Sequence, residues 1–129
     1  AVEEVLRYDT SAPTMIRVTT QEVTLSKVTI PEDSRVLLLF SSANRDCEQY
    51  EKGDIFDINR FQNAPVNHLA FSHGKHHCLG YNLARRHARV AIEILSTRIP
   101  NLRIVPNQEL NHIPTLLDRG YESLKLEWD

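Results

Sequence analysis

A chain of 129 residues with a formal net charge of −2 and 25% charged residues has the size of one domain, and no excess of charge to carry it onto nucleic acid or an anionic membrane. Hydrophobic residues make up 41%, an ordinary share for a soluble domain, and no apolar stretch approaches the length of a membrane span. The two cysteines, Cys47 and Cys78, lie in unlike surroundings, which argues against a disulfide framework and for one chemically used cysteine.

The chain opens on Ala1 to Tyr8, where Val2, Val5 and Leu6 recur at helical spacing with no capping residue ahead of them. A domain seldom begins inside a helix, so a fragment of a longer protein is expected. Ser11-Ala12-Pro13 breaks the helix. Thr14 to Thr20 is rich in β-branched residues and predicts a strand. Glu22 to Leu25 and Val28 to Ile30 alternate around Ser26-Lys27, the pattern of a β-hairpin. Pro31-Glu32-Asp33 turns the chain into Arg35 to Phe40, an apolar run expected as a buried strand. From Ser41 to Val66 the chain is polar and irregular, with one helical turn expected near Ala43 to Asp46. A stretch that long without regular structure is unusual unless it carries a function or packs on something.

Leu79 to Ile99 predicts a long helix, with Leu83, Ala84, Ala88, Ala91, Ile94 and Leu95 on an apolar face and Arg85, Arg89 and Glu93 opposite. Pro100 stops it, and Leu102 to Val105 and Tyr121 to Glu127 read as strands joined by a polar loop.

The segment Phe71-Ser72-His73-Gly74-Lys75-His76-His77-Cys78-Leu79-Gly80 is a loop that delivers one cysteine to the start of that helix. A thiolate there is stabilised by the partial positive charge of the helix start and its free backbone N–H groups. Those N–H groups would also temper the charge that the sulfur donates to a bound iron. Gly74 and Gly80 suit places where the backbone turns sharply or approaches a flat ligand, and Phe71 could shield the sulfur from water. Zinc on His73, His76, His77 and Cys78 is the competing reading, but ligands packed so closely cannot easily close a tetrahedron. An inert core thiol is the other, and the flanking glycines and helix start argue against it.

The pattern F-x-x-G-x-H-x-C-x-G at Phe71, Gly74, His76, Cys78 and Gly80 resembles the haem-binding signature of the cytochromes P-450, and Leu83-Ala84-Arg85 resembles the family's proximal helix. Ser72 departs from that signature, standing where a second glycine is usual. Glu4-Val5-Leu6-Arg7 is similar to the family's E-x-x-R motif, Ala43 to Asp46 to a bacterial segment after it, and Phe56 to Phe61 to the motif whose arginine joins that pair. Lys27 and Asp33 replace glycines common in the hairpin, which leaves its turn geometry open.

The resemblance implies an α+β fold, the C-terminal part of the cytochrome P-450 fold over residues 1–129, of soluble bacterial type. It implies haem b as cofactor, with Cys78 as the axial ligand and His76 and Arg17 on the haem propionates. It also implies a buried structural triad of Glu4, Arg7 and Arg60, and substrate-lining pieces at Ala12, Pro13, Leu116 and Leu117. The family's long central helix with its proton-delivering pair is not in this sequence. The expected activity is therefore that of a haem-thiolate monooxygenase only when complete: insertion of one oxygen atom from O₂ into a small organic substrate in the cytoplasm. Its partners would be the missing N-terminal part and a ferredoxin-type electron donor. The alternative is a truncated or split non-catalytic scaffold. Arg85, Arg86 and Arg89 read equally as a solvated helix face and as a docking patch for an acidic donor. His68, His87, His112 and Cys47 point to nothing by themselves.

Overall fold

The computed structural model describes residues 1–129. Its order is α1 (Val2–Tyr8), β1 (Thr14–Val18), β2 (Val23–Leu25), β3 (Val28–Ile30), β4 (Arg35–Leu39), α2 (Phe40–Ala43), α3 (Tyr81–Arg98), β5 (Arg103–Ile104) and β6 (Leu126–Glu127). Three antiparallel two-stranded sheets form: β1 with β4, β2 with β3, and β5 with β6. This is a mixed helix-and-strand architecture.

The β2–β3 hairpin shows how closely its turn is coded. Ser26 and Lys27 hold φ of 46° and 72°, and positive φ at both central residues matches the right-handed twist of paired strands. Asp33 also lies in the left-handed region, at φ 59°. Both departures from the family's glycines are thus accommodated without losing the turns. β1 and β4 pair from Thr14↔Leu39 to Val18↔Arg35, and Ser41 N–H then donates to the Pro13 carbonyl, carrying the pairing into α2.

Several boundaries differ from those the sequence predicts. β1 ends at Val18, short of Thr19 and Thr20, and the Thr19 hydroxyl donates to the Pro31 carbonyl at 2.6 Å. The helical turn expected near Ala43 to Asp46 begins earlier, at Phe40, whose side chain is buried where β4 ends. The run Arg35 to Phe40 is no buried strand: Leu37 and Leu39 are exposed, since no second layer covers that face of the sheet. α3 starts at Tyr81, after Gly80, not at Leu79. Of the expected strand Tyr121 to Glu127, only Leu126–Glu127 pairs with β5, while Tyr121 makes a single bridge to His112.

The buried interior is polar. Only Phe40 and Tyr50 are buried hydrophobics, whereas Arg7, Glu4, Asn44 and Thr10 are the most enclosed side chains. α1 packs on α3, through the face that carries Arg85 and Arg89. The apolar face of α3 is open: Leu83, Ile94 and Leu95 are all exposed.

Candidate functional site

Glu4 and Arg7, three residues apart on α1, face the same side and pair at 2.7 Å with 1% and 0% of their side chains exposed. Arg60 Nε reaches Glu4 Oε1 at 3.3 Å. Neither cation stops at the carboxylate. Arg7 also donates to the carbonyls of Asn44, Gly53 and Ile55. Arg60 donates to those of Glu51, Lys52 and Ile55. The Asp57 N–H donates to Glu4 Oε1 at 2.8 Å. The irregular segment predicted between Ser41 and Val66 is therefore wound around one buried ion cluster, which answers its carbonyls in place of helix or sheet. Burial alone would raise the Glu4 carboxyl, but Arg7, the Asp57 N–H and Arg60 outweigh it and hold the group down to about 2. Glu4, Arg7 and Arg60 thus meet in one cluster.

The triad is tied to the cysteine loop through Asn44. Its carbonyl accepts from Arg7, and its side-chain Oδ1 accepts the Leu69 N–H at 2.7 Å. From there Ser72 N–H donates to the Leu69 carbonyl and Cys78 N–H to the Phe71 carbonyl, both at 2.9 Å. Ser72 is buried with φ 62° and Gly74 has φ 77°. The left-handed conformation is natural for glycine and strained for serine. A short 3-10 turn, Gly74–His76, comes next and was not foreseen in the sequence. The loop therefore closes on itself and presents Cys78 as a free, exposed thiol two residues before the N-cap of α3.

Around that sulfur the surface is open. Leu79 is 100% exposed. At Gly80 φ is −84°, so no left-handed backbone requires glycine; an added Cβ would sit 3.9 Å from Cys78 Sγ, narrowing the space beside it. His73, His76 and His77 do not converge with Cys78, and no group of three or more His, Cys, Asp or Glu side chains has metal-binding geometry. The tetrahedral zinc reading fails on that arrangement. His76 is exposed on the 3-10 turn. Arg17, on β1, reaches only the Ile16 carbonyl, at 3.4 Å. It lines a mostly apolar groove of about 390 Å³ with Leu38, Leu39, Phe40, Leu69 and His73.

Ala12-Pro13 and Leu116-Leu117, about a hundred residues apart, are brought side by side. Thr14 Oγ1 donates to the Leu116 carbonyl at 2.6 Å, Arg119 N–H donates to the Ser11 carbonyl, and Arg119 also pairs with Asp9.

One cluster escaped the sequence reading. Glu3, His68 and Arg85 meet behind the loop: Arg85 Nε lies 2.9 Å from both Glu3 oxygens, and His68 Nε2 lies 3.0 Å from Oε2. Arg85 is therefore neither part of a solvated face nor available as a docking cation, and Arg89 leans toward the same carboxylate at 3.7 Å. No short-range spacing signals this, because 82 residues separate Glu3 from Arg85.

The cytochrome P-450 family profile matches residues 1–108. The chain belongs to the cytochrome P-450 family. It is 38% identical over 129 residues to the biotin biosynthesis cytochrome P-450 of Bacillus subtilis (strain 168), covering 100% of this chain and 32% of that protein. Against cytochrome P-450 130 of Mycobacterium tuberculosis, identity is 44% over 109 residues, 84% of this chain and 26% of the other. A crystal structure of P-450 BioI in complex with hexadec-9Z-enoic acid-ligated acyl carrier protein superposes with a TM-score of 0.91 at 38% identity. That match covers 99% of this chain and 32% of that one. The chain thus spans about a third of the length of the relatives it matches. Haem b is the cofactor of cytochromes P-450, and the residues present suit it: one unpaired thiol in open space for the iron, a fully exposed Leu79 beside it, and an Arg17 guanidinium with no carboxylate of its own, lining a mostly apolar groove. No helix is long and apolar enough to cross a membrane.

Proposed function

We propose that this chain is the haem-ligand portion, C-terminal in the cytochrome P-450 fold, of a cytoplasmic monooxygenase, with Cys78 giving the thiolate to the iron. The observation that carries the reading is the exposed Cys78 thiol, held by its own N–H to the Phe71 carbonyl at the head of α3 and left free of any partner. Haem, when bound, would supply the reductive activation of O₂ and the transfer of one oxygen atom to a small organic substrate. The chain's own residues bind and orient. Gly74 and Gly80 keep the loop close and the sulfur clear. Arg17 and His76 take the propionates, a buried or half-buried guanidinium being well served by a carboxylate.

The Glu4, Arg7 and Arg60 triad holds the irregular segment against α1 and, through Asn44, the stem of the loop. Ala12, Pro13, Leu116 and Leu117 are assigned to the substrate side, supported by the hydrogen bond that joins their two segments. The substrate and the remaining pocket come with the N-terminal portion of the protein. The open face of α3 supports a role for that portion as cover. A ferredoxin-type donor is proposed as the electron source, docking near Arg86, since Arg85 is committed to Glu3.

The test is the reduced carbon-monoxide difference spectrum after haem addition, for the chain joined by the rest of its protein and for Cys78→Ala. A red-shifted Soret band lost in the variant is expected. If the band is absent from both, the ligand assignment is wrong and the non-catalytic scaffold reading replaces it.

A further inference from the structure

Phe71 is held from three sides. The Arg85 guanidinium lies over its ring at 4.7 Å from the centroid, the His68 ring stands 6.1 Å away, and Tyr81 meets it edge-on at 6.4 Å. Arg85 and His68 are in turn fixed by one carboxylate, Glu3 of α1. The His68 side chain has no exposed surface, and those of Glu3 and Arg85 are 12% and 20% exposed. Such enclosure makes these bonds stronger than a surface pair.

The protonation of the cluster is set by its bonds. The Ala70 N–H donates to His68 Nδ1 at 3.3 Å, so that nitrogen is an acceptor and the hydrogen sits on Nε2, facing Glu3. His68 is thus a neutral linker between a carboxylate and the chain just before the loop. Glu3 carries the charge that balances Arg85.

The link to the sulfur is one residue long, because the Phe71 carbonyl accepts the Cys78 N–H at 2.9 Å. We infer that Glu3, His68 and Arg85 form a clamp that positions Phe71, and through it the Cys78 backbone, making all three positioning residues for the thiolate. The consequence for haem rests on the ligand role proposed for Cys78, whereas the effect on the Cys78 backbone does not. Whatever loosens the clamp lets the Phe71 carbonyl move, freeing the Cys78 N–H and altering the polarity next to the sulfur. Changes of this kind in the surroundings of a ligand shift the potential of the metal it binds.

The experiment uses the protein in full, first without haem. Hydrogen exchange at the Cys78 amide is measured for the parent, Glu3→Gln, Arg85→Ala, Arg85→Lys and Arg86→Ala, with β1 and β4 amides as the folding control. Arg85→Ala and Glu3→Gln should speed exchange at Cys78 by about tenfold, the scale of one lost hydrogen bond to a charged group. Arg85→Lys, which keeps the charge toward Glu3 but loses the planar stack, should fall between, and Arg86→Ala should match the parent. With haem bound, Arg85→Ala should move the midpoint potential in the same direction as Phe71→Leu, and adding it to Phe71→Leu should move it no further. Unchanged Cys78 exchange in Arg85→Ala with β1 and β4 intact, or full additivity with Phe71→Leu, overturns the clamp. A parent that lacks the thiolate-type Soret band defeats the ligand assignment alone, since exchange at Cys78 still decides the clamp.

Discussion

Ser72 occupies a left-handed backbone with φ 62° while buried, at the one loop position where the sequence departs from the family's glycine. A side chain in that conformation costs about 1–2 kcal/mol, partly offset because glycine loses more freedom on folding. Ser72→Gly is therefore expected to stabilise the protein by about 1 kcal/mol, read as a higher urea midpoint with an unchanged slope. Glu4 acts in the opposite sense. Its carboxyl is held at about 2 against an ordinary 4.5, so the folded state binds this proton less readily than the unfolded chain. The stabilisation is complete above pH 4.5 and is lost as pH falls toward 2. Its size is roughly 3 kcal/mol. Glu4→Gln should remove that much at neutral pH and flatten the acid limb of the stability curve. His68 adds to the acid loss at a higher pH. Burial lowers its pKa below 6.5 against the pull of Glu3, so acid stability begins to fall below that value as the unfolded chain takes up the proton.

At the scale of elements, what was legible tracked the range of the interaction. The β2–β3 hairpin could be read because its turn and its alternation lie within eight residues, Val23 to Ile30. Glu4 and Arg7 could be suspected as a pair from their i, i+3 spacing, but Arg60 joined them only through the family resemblance, since nothing local links it to α1. The Glu3–His68–Arg85 cluster joins three distant segments and left no periodic trace. For α3 the apolar residues were identified and their direction was not, because periodicity says which residues share a face and nothing about what covers it. Gly53 leaves no local signal either: a Cβ there would run into the Arg45 carbonyl, and the Gly53 carbonyl accepts from Arg7 at 2.7 Å. Gly53→Ala should push the two backbones apart, pull that carbonyl from the triad and cost about 3 kcal/mol. Gly120→Ala, whose Cβ would meet Ile113 at an ordinary 3.6 Å, should change stability by less than about 0.5 kcal/mol in the same denaturation series.

For the whole molecule, the surface area sets what the chain needs. It exposes 10,172 Å², whereas a compact monomer of 14.9 kDa exposes about 7,000 Å². The excess, about 3,000 Å², is the scale of a large protein interface and not of a few loose loops. It includes Leu83, Ile94 and Leu95 on α3 and Leu37 and Leu39 on β4, so it is substantially apolar. The enclosed residues, by contrast, are Arg7, Glu4, Asn44 and Thr10, an interior that fixes geometry but contributes little hydrophobic driving force. An isolated chain of this kind should keep its local hairpin and lose fixed packing of α3. It should bind 8-anilinonaphthalene-1-sulfonate strongly and show shallow urea unfolding, because little apolar surface remains to be exposed. Joining it to the remainder of the protein should quench the dye signal and bring slow hydrogen exchange to the α3 amides together with those around Glu4. A chain that by itself excludes the dye and unfolds in one steep transition would mean that α3 finds cover within these 129 residues, contrary to the exposed face seen here.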